Sequence, residues 1–406
     1  MKELISVDEA FRLYSKHISP LPAEEVELER ALYRVLAEDA LSAVDLPPFP
    51  QSAMDGYALR AQDTQSATPE RPARLKLVGE VPAGALPEIP RIGPGEAVRI
   101  FTGGHVPEGA DAVLRQEDAR VEDGILVVEE PVPPGRDVRR RGEELSAGFQ
   151  IARGGERLTA GHIAALAIAG VAAVRVRREP RIAVLTTGDE VVPPGRALEP
   201  GQVYDANAPL IASWLRERGY SRITTEHLPD DLGRTADALA RALEGSDLVL
   251  TAGGVSVGER DFVLKAAERV GVRPVFWKVK QQPGKPLFFG LFGEKPLLGL
   301  PGNPGSVFVC LATHVRRVLD LLEGCAEPGP RFYEGILREP LERSPERERW
   351  VRARWTVRDG KIELEPLSKQ RSHMISNLTE CTALVRAPAG EGRLPEGSAL
   401  PWVPLR

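Results

Sequence analysis

Two rhythms of apolar and polar residues run through the chain, and it divides where they change. From Arg181 onward, short apolar runs alternate with stretches whose apolar residues recur three and four apart. The runs Ile182–Thr187, Arg222–Glu226, Leu248–Thr251, Val275–Val279 and Lys295–Leu300 predict strands, and Leu248–Leu250 has the composition of one buried on both faces. Between and after them, Pro209–Glu217 behind Asn207, Thr235–Leu243, Phe262–Val270 and Val307–Leu322 have helical spacing. Regular alternation of this kind predicts a parallel sheet with helices on both faces. In such sheets a ligand sits past the carboxyl ends of the strands.

Before Arg181 the rhythm differs. Ser6–Ser19 predicts an amphipathic helix, capped by Ser6 with Glu9 three residues on and ended by Pro20 and Pro22. A second helix is expected at about Leu28–Ala37. From Leu46-Pro-Pro-Phe-Pro50 to about Glu144 the chain is rich in Pro and Gly. Its short runs, Arg74–Val78, Ala97–Phe101, Ala112–Arg115 and Ile125–Val128, predict a small β domain. Thr159–Ala169 returns to helical spacing, and if it rejoins the early helices the β domain is an insertion. Leu158–Val176 comes closest to a membrane span. It is mostly Ala and Gly, is broken by Gly161, His162 and Gly170, and falls short of about 20 strongly apolar residues. It predicts a buried helix leading to a strand. After Pro328-Gly-Pro330 the runs Tyr333–Leu337, Trp350–Val357 and Lys361–Leu364 predict a C-terminal β domain.

Composition bounds this picture. A length of 406 residues exceeds one core and suggests about two to four domains. A net charge of -5 argues against a general nucleic-acid binder but leaves room for a local basic pocket. Cys310, Cys325 and Cys381 are odd in number and widely spaced, and no C-x-x-C or H-E-x-x-H occurs. A disulfide framework and a structural zinc site are therefore not expected. Acids come early at the amino end and no signal-peptide core follows, so a cytoplasmic, membrane-free protein is expected.

Candidate chemistry gathers in four loops of the α/β region. They are Thr186–Glu190, Leu228–Asp231, the glycine loop from Gly253 to Asp261, and Gly299–Ser306. All four would open on one edge of the sheet, bringing Glu190, Asp230 and Asp261 near one another. Strand, glycine loop and helix cradle phosphate on free backbone N–H groups. Clustered carboxylates beside such a cradle suggest Mg²⁺ on a diphosphate. Each residue has a plainer reading: Asp230 or Asp231 as a helix cap, Asp189–Glu190 as a solvated turn, Ser306 as an N-cap. Lys285 on Pro283-Gly-Lys-Pro286 suits a small oxyanion or is an exposed turn lysine. Asp55-Gly56 is a turn signal or displays a carboxylate, and Thr102 lies on the glycine-framed loop Ile100–Gly104.

Taken together, these stretches resemble the MoeA family, the molybdopterin molybdenumtransferases, which include the gephyrin E domain. The resemblance rests on Ser52-Ala-Met-Asp-Gly-Tyr-Ala58, Arg99–Gly103, Arg139–Glu144, Thr187-Gly-Asp-Glu190, Tyr204-Asp-Ala-Asn207, Gly253–Asp261, Pro283–Pro286 and Leu300–Ser306. It implies a multidomain, elongated α/β plus β chain. The implied domains are a helical segment (21–45 and 145–177), a β-rich insertion (46–144), a doubly wound molybdopterin-binding α/β domain (1–20 and 178–326) and a C-terminal β domain (327–406). It implies a homodimer whose cleft lies between the α/β domain of one subunit and the insertion of the other.

The implied reaction uses adenylylated molybdopterin and molybdate. The bond between the pterin phosphate and AMP is broken, molybdenum enters the dithiolene and AMP leaves, with Mg²⁺ assisting. By motif position Asp55, Thr102, Glu190, Asp230 and Asp261 are the implied catalytic residues, with Glu190, Asp230 and Asp261 on the metal. Gly253, Gly254, Ser256, Gly258, Pro301, Gly302, Asn303 and Ser306 are implied to hold the pterin and its phosphate. Lys285, Pro286 and Ser306 fall near the implied molybdate site, and Arg347, Arg352 and Ser372 are C-terminal candidates. Contact with a MogA-type adenylyltransferase and with molybdoenzyme maturation proteins is a further expectation. Gln282 departs from the lysine of many relatives, a charge for which Lys278 and Lys280 are the candidate substitutes. Glu144 replaces an aspartate. Two alternatives remain: the preceding adenylyltransferase step, which lacks the extra domains, and a scaffold, for which the sequence shows no linker or recruitment segment ahead of the core.

Overall fold

The computed structural model describes residues 1–84, 88–255 and 262–405. Its centre is a seven-stranded sheet made of β1 (Lys2–Ile5), β2 (Ile182–Thr187), β3 (Ile223–Leu228), β4 (Leu248–Ala252), β5 (Arg273–Val279), β6 (Phe288–Phe292) and β7 (Lys295–Leu300), in the order β1-β5-β6-β7-β4-β2-β3. β7, β4, β2 and β3 pair in parallel. β6 runs antiparallel to both β5 and β7. Two reversals cancel, so β5 points the same way as β7. The expectation of a purely parallel sheet is corrected at this one strand. β6 is joined to β7 by the two residues Gly293 and Glu294, a link only an antiparallel pair can use.

Alternation along the strands builds two cores. Ile182, Val184, Leu248 and Leu250 face one side, where α1 (Val7–His17), α3 (Asn207–Arg216) and the helix from Pro304 to Leu322 pack. Ala183, Leu185 and Val249 face the other, under α4 (Leu232–Gly245) and α5 (Phe262–Arg269). Ser6 caps α1 by accepting from Glu9 N–H at 3.1 Å. Glu9 does not complete the reciprocal box, because its carboxylate pairs with Lys2. The last helix is α6 (Pro304–Cys310), a π turn (Leu311–Val315) and α7 (Arg316–Leu322).

The segment beside this domain is less helical than expected. Leu28–Ala37 forms only the 3₁₀ turn Leu28–Arg30. Beyond it Tyr33 has φ of 65°, and the backbone N–H groups of Tyr33, Leu36 and Ala37 donate to Leu158, Glu156 and Arg175. Pairing with distant chain wins over local propensity here. Ala23–Glu27 pairs with Ala173–Arg177, and the one helix of the segment is α2 (Ala160–Ile168), capped by Thr159 and His162 in a reciprocal box. The expectation of a buried helix is corrected here, since α2 lies on the surface. Only Leu166 is fully covered and Ile168 is 62% exposed, since Ala and Gly offer little area to bury. No helix among the described residues is long and apolar enough to cross a membrane.

Residues 51–139 carry a six-stranded sheet in the order Ala112–Arg115, Gly56–Leu59, Glu96–Ile100, Ala73–Val81, Ile125–Val128, Arg120–Glu122. In the C-terminal region Glu348–Arg358, Lys361–Pro366, Tyr333–Leu337, Ala399–Pro404 and Ala383–Ala387 close into a barrel. Gln281–Gln282, just after β5, adds to that barrel alongside Glu348–Arg349. Trp350, Leu384 and Val403 of the barrel enter the same core as α1.

Leu250 is fully buried at the centre of β4. Leu250→Ala should lower the stability of the α/β domain by about 2–5 kcal/mol. Faster amide exchange along β4 reads that loss, and unchanged exchange refutes the placement of the core.

Candidate active site

The carboxyl ends of β3, β2, β4, β7 and β5 open on one edge, and a cleft of about 960 Å³ lies there. That is the size of a small-molecule site. At the β2–β3 end, Asp230 N–H donates to Asp189 Oδ1 at 3.1 Å and ties the two acidic loops together. Gly188 has φ of 139°, and a Cβ placed there would sit 2.8 Å from Glu190 Oε2, so the carboxylate folds over bare backbone. Glu190 and Asp230 line the cleft. Asp231 caps α4 by accepting from Arg234 N–H at 2.8 Å. The two adjacent acids thus split the two readings of that loop between them.

In the middle, β4 ends in Gly253 and Gly254, with φ of 97° and 67°. A Cβ on Gly253 would lie 2.8 Å from Thr187 Oγ1, so only glycine lets the β2 and β4 loops approach this closely. Beside them run Pro301, Gly302 and Asn303, with Asn207 donating to Gly302 O at 2.7 Å. Asn303, not Ser306, occupies the N-cap position of α6. Ser306 lies in the first turn, borders the cleft and is nearly buried.

The far wall is basic. Gln282, Lys285 and Pro286 come from the turn after β5, and Arg347, Arg371, Ser372 and His373 from the barrel. Neither proposed substitute for the missing lysine lines the cleft. Lys278 is held by Glu3 at 2.7 Å and lies 3.6 Å over the Trp277 ring. Arg352 does not line the cleft either. It is 1% exposed, and its guanidinium donates to the carbonyls of Lys369, Arg371 and Met374. It therefore shapes the 369–374 loop from beneath. That loop presses on α6: Gly305 N–H donates to Ser372 O at 2.9 Å, and a Cβ on Gly305 would lie 2.6 Å from the same oxygen.

Asp55 and Thr102 sit together on the insertion sheet and do not line this cleft. Asp55 is displayed ahead of the strand Gly56–Leu59 and accepts from both Thr102 N–H and Thr102 Oγ at 2.8 Å. These two bonds, backbone first, hold its carboxyl below the usual carboxylate range. Ser256, Gly258 and Asp261 lie outside the described residues.

Glu190 and Asp230 offer hard carboxylate oxygens, the donor class Mg²⁺ takes. Mg²⁺ needs only one or two such groups when phosphate and water complete its shell. Two carboxylates on one wall of the cleft fit that demand, and among the described residues no larger His, Cys, Asp or Glu cluster gathers. Sequence reasoning missed Arg371 and His373 as cleft residues. Thr187, Tyr204, Asp205 and Asn207, which also line it, lay in quoted motifs without an assigned role. Ser372 was a candidate by resemblance and does line the cleft, but nothing local marked its neighbours Arg371 and His373, because a loop from another domain brings them there.

Comparison with known proteins adds the family. The chain matches the MoeA N-terminal region (domain I and II) over residues 5–170, a probable molybdopterin binding domain over 183–321, and the MoeA C-terminal region (domain IV) over 334–405. It is 34% identical to a molybdopterin molybdenumtransferase of Nostoc sp. across 95% of this chain and 90% of that one. It is 33% identical to one of Haemophilus influenzae across 99% of both. The crystal structure of a molybdopterin biosynthesis MoeA protein from Pyrococcus horikoshii superposes with a TM-score of 0.83 at 30% identity, covering 99% of each chain. Identity of this extent, together with three consecutive domain matches, places the chain in the MoeA family, the molybdopterin molybdenumtransferases.

Proposed function

We propose that this chain transfers molybdenum from molybdate to the dithiolene of adenylylated molybdopterin, breaking the phosphate–AMP bond and releasing AMP. The observation that carries the reading is one cleft with Glu190 and Asp230 at one end, Lys285, Arg347 and Arg371 at the other, and glycine loops between. Molybdate is a well-hydrated dianion, so a pocket must replace its water with donors and positive charge. The basic wall supplies both. The loops at Gly253–Gly254 and Pro301–Ser306 hold the pterin and its phosphate in this reading. Glu190 and Asp230, with Asp261, would hold Mg²⁺, which when bound polarises phosphate oxygens. AMP release from adenylylated molybdopterin that depends on molybdate tests the reaction. Formation of the adenylate from ATP and molybdopterin, without molybdate, would point to the preceding step instead.

The same reading makes the chain a homodimer. Leu41, Val44, Phe149 and Ile168 are exposed apolar residues, and the backbone bonds Ser42 to Phe149 and Ala43 to Ala169 draw them into one patch. A second copy covers that patch and brings its own Asp55 and Thr102 to the cleft.

Four outcomes are expected. Lys285→Ala raises the molybdate concentration for half-maximal AMP release and leaves binding of adenylylated molybdopterin nearly unchanged. Gln282→Lys lowers that concentration, since it adds a charge to the basic wall. Titrations at two ionic strengths measure both, and an unchanged requirement in Lys285→Ala removes Lys285 from the oxyanion pocket. Mixing Asp55→Ala chains with Asp230→Ala chains restores partial activity if the cleft is shared, because one of the two clefts then keeps both acids. Mixed dimers as inactive as either parent would sink the shared site. Thr102→Val removes one bond to the charged form of Asp55 and so raises its pKa toward the ordinary range, while the backbone bond stays. Carbon NMR of the Asp55 carboxyl follows the midpoint.

A further inference from the structure

The turn that presents Lys285 is held from below by a chain of buried side chains. Gln281 borders the cleft yet is wholly buried, on the short strand shared with the barrel. Its Oε1 lies 3.2 Å from Trp350 Nε1 and 2.9 Å from His314 Nε2. Its Nε2 lies 3.0 Å from Gly284 O, in the turn itself.

Donor chemistry leaves one arrangement of protons. An indole N–H only donates, so the amide oxygen faces Trp350 and the amide nitrogen faces Gly284. That oxygen also meets His314 Nε2, which must then carry the proton. Burial, aided by the Arg386 charge, pushes the His314 pKa down to about 3, so the ring holds a single proton near neutrality. Its Nδ1 is therefore a bare acceptor, and the Tyr14 hydroxyl 3.1 Å away donates to it. Tyr14 is fixed in turn by an edge contact with Phe289, 4.9 Å between centroids. His314 belongs to the π turn, an irregularity that accompanies functional sites in helices. Gly284 fits over the amide because it lacks a side chain. A Cβ there would lie 2.6 Å from Gln281 Nε2 and 3.0 Å from Cys310 Sγ, and its φ is 97°.

We infer that Gln281 is a positioning residue for the oxyanion side of the cleft. Through Gly284 it fixes where Lys285 sits, and through Trp350 it makes that position depend on the docked barrel. The inference rests on the reaction proposed above. Four distant parts of the chain, at Tyr14, Gln281, His314 and Trp350, converge on it, and none of these four side chains contacts solvent to any extent. A buried polar group has few alternative partners, so the network admits one placement of the turn.

The test uses the full chain with Gln281→Leu, Trp350→Phe, Lys285→Ala and the double variant Gln281→Leu/Lys285→Ala. Gln281→Leu should raise the molybdate concentration for half-maximal AMP release about tenfold. The rate at saturating molybdate and the half-saturation for adenylylated molybdopterin should stay near those of the parent. Trp350→Phe keeps the ring and loses one donor, so it should shift the same quantity by less. The double variant should match Lys285→Ala alone, because both changes act through one group. No shift in the single variants, a lower maximal rate with unchanged half-saturation, or additive losses would overturn the inference. If Gln281→Leu does not fold, Trp350→Phe carries the kinetic comparison. Nitrogen NMR of His314 in the parent protein stands apart from activity. A protonated Nε2 with bare Nδ1 is expected, and a protonated Nδ1 or an imidazolium near neutral pH overturns the network. A parent that releases AMP without needing molybdate refutes the reaction, while the NMR result still decides the network.

Discussion

Strand direction governs the whole α/β domain. A parallel pair puts both carboxyl ends on one edge, and here the single reversed strand β6 is followed by a second reversal that restores the direction. Five loops therefore open together, and their chemistry follows the strand order. Acids come after β3 and β2, glycine-bearing turns after β4 and β7, and the lysine turn after β5. Sheet topology sets the acids and Lys285 at opposite ends of one cleft, and the barrel adds Arg347 and Arg371 at the lysine end. In the proposed reaction a pterin phosphate and a separate oxyanion would meet between them without the acids and bases quenching one another.

Exposed charges hold a fixed geometry only when something rigid stands behind them. Two buried side chains do this on the basic wall. Arg352 collects three carbonyls of the 369–374 loop, and Gln281 holds the carbonyl of Gly284. Leaving such a buried group unpaired costs about 1–3 kcal/mol, so each loop has a strong preference for one shape. Both side chains also sit where the barrel meets the α/β domain. Docking of the barrel and the geometry of the basic wall are thus one event.

Much of this was legible in the sequence, for local reasons. β2 and β7 have the bounds expected, because each is a continuous apolar run closed by polar or turn residues. The acidic and glycine loops could be placed on one edge from βα alternation alone. The rest depended on contacts far along the chain. Leu28–Ala37 has helical spacing, yet its N–H groups find carbonyls more than a hundred residues away. β6 was missed because Phe288–Phe292 and Lys295–Leu300 are separated by only two residues. Arg352 looked like a binding arginine because nothing in its neighbourhood shows that it is 1% exposed. Gln281 gave no signal at all, since its partners come from three other elements.

The pairing of β1 with β5 joins Lys2–Ile5 to a strand that starts at Arg273. During synthesis that partner emerges on the order of tens of seconds after β1. Until it does, the apolar side of α1, with Val7, Ala10, Phe11 and Tyr14, has no core to enter. The insertion sheet takes all its strands from residues 56–128 and can be complete long before. Lys2–Ile5 and the apolar side of α1 are therefore covered later than the insertion sheet, although they precede it in the chain. The apolar face of α1 thus waits for its core through the synthesis of the residues that separate it from Arg273.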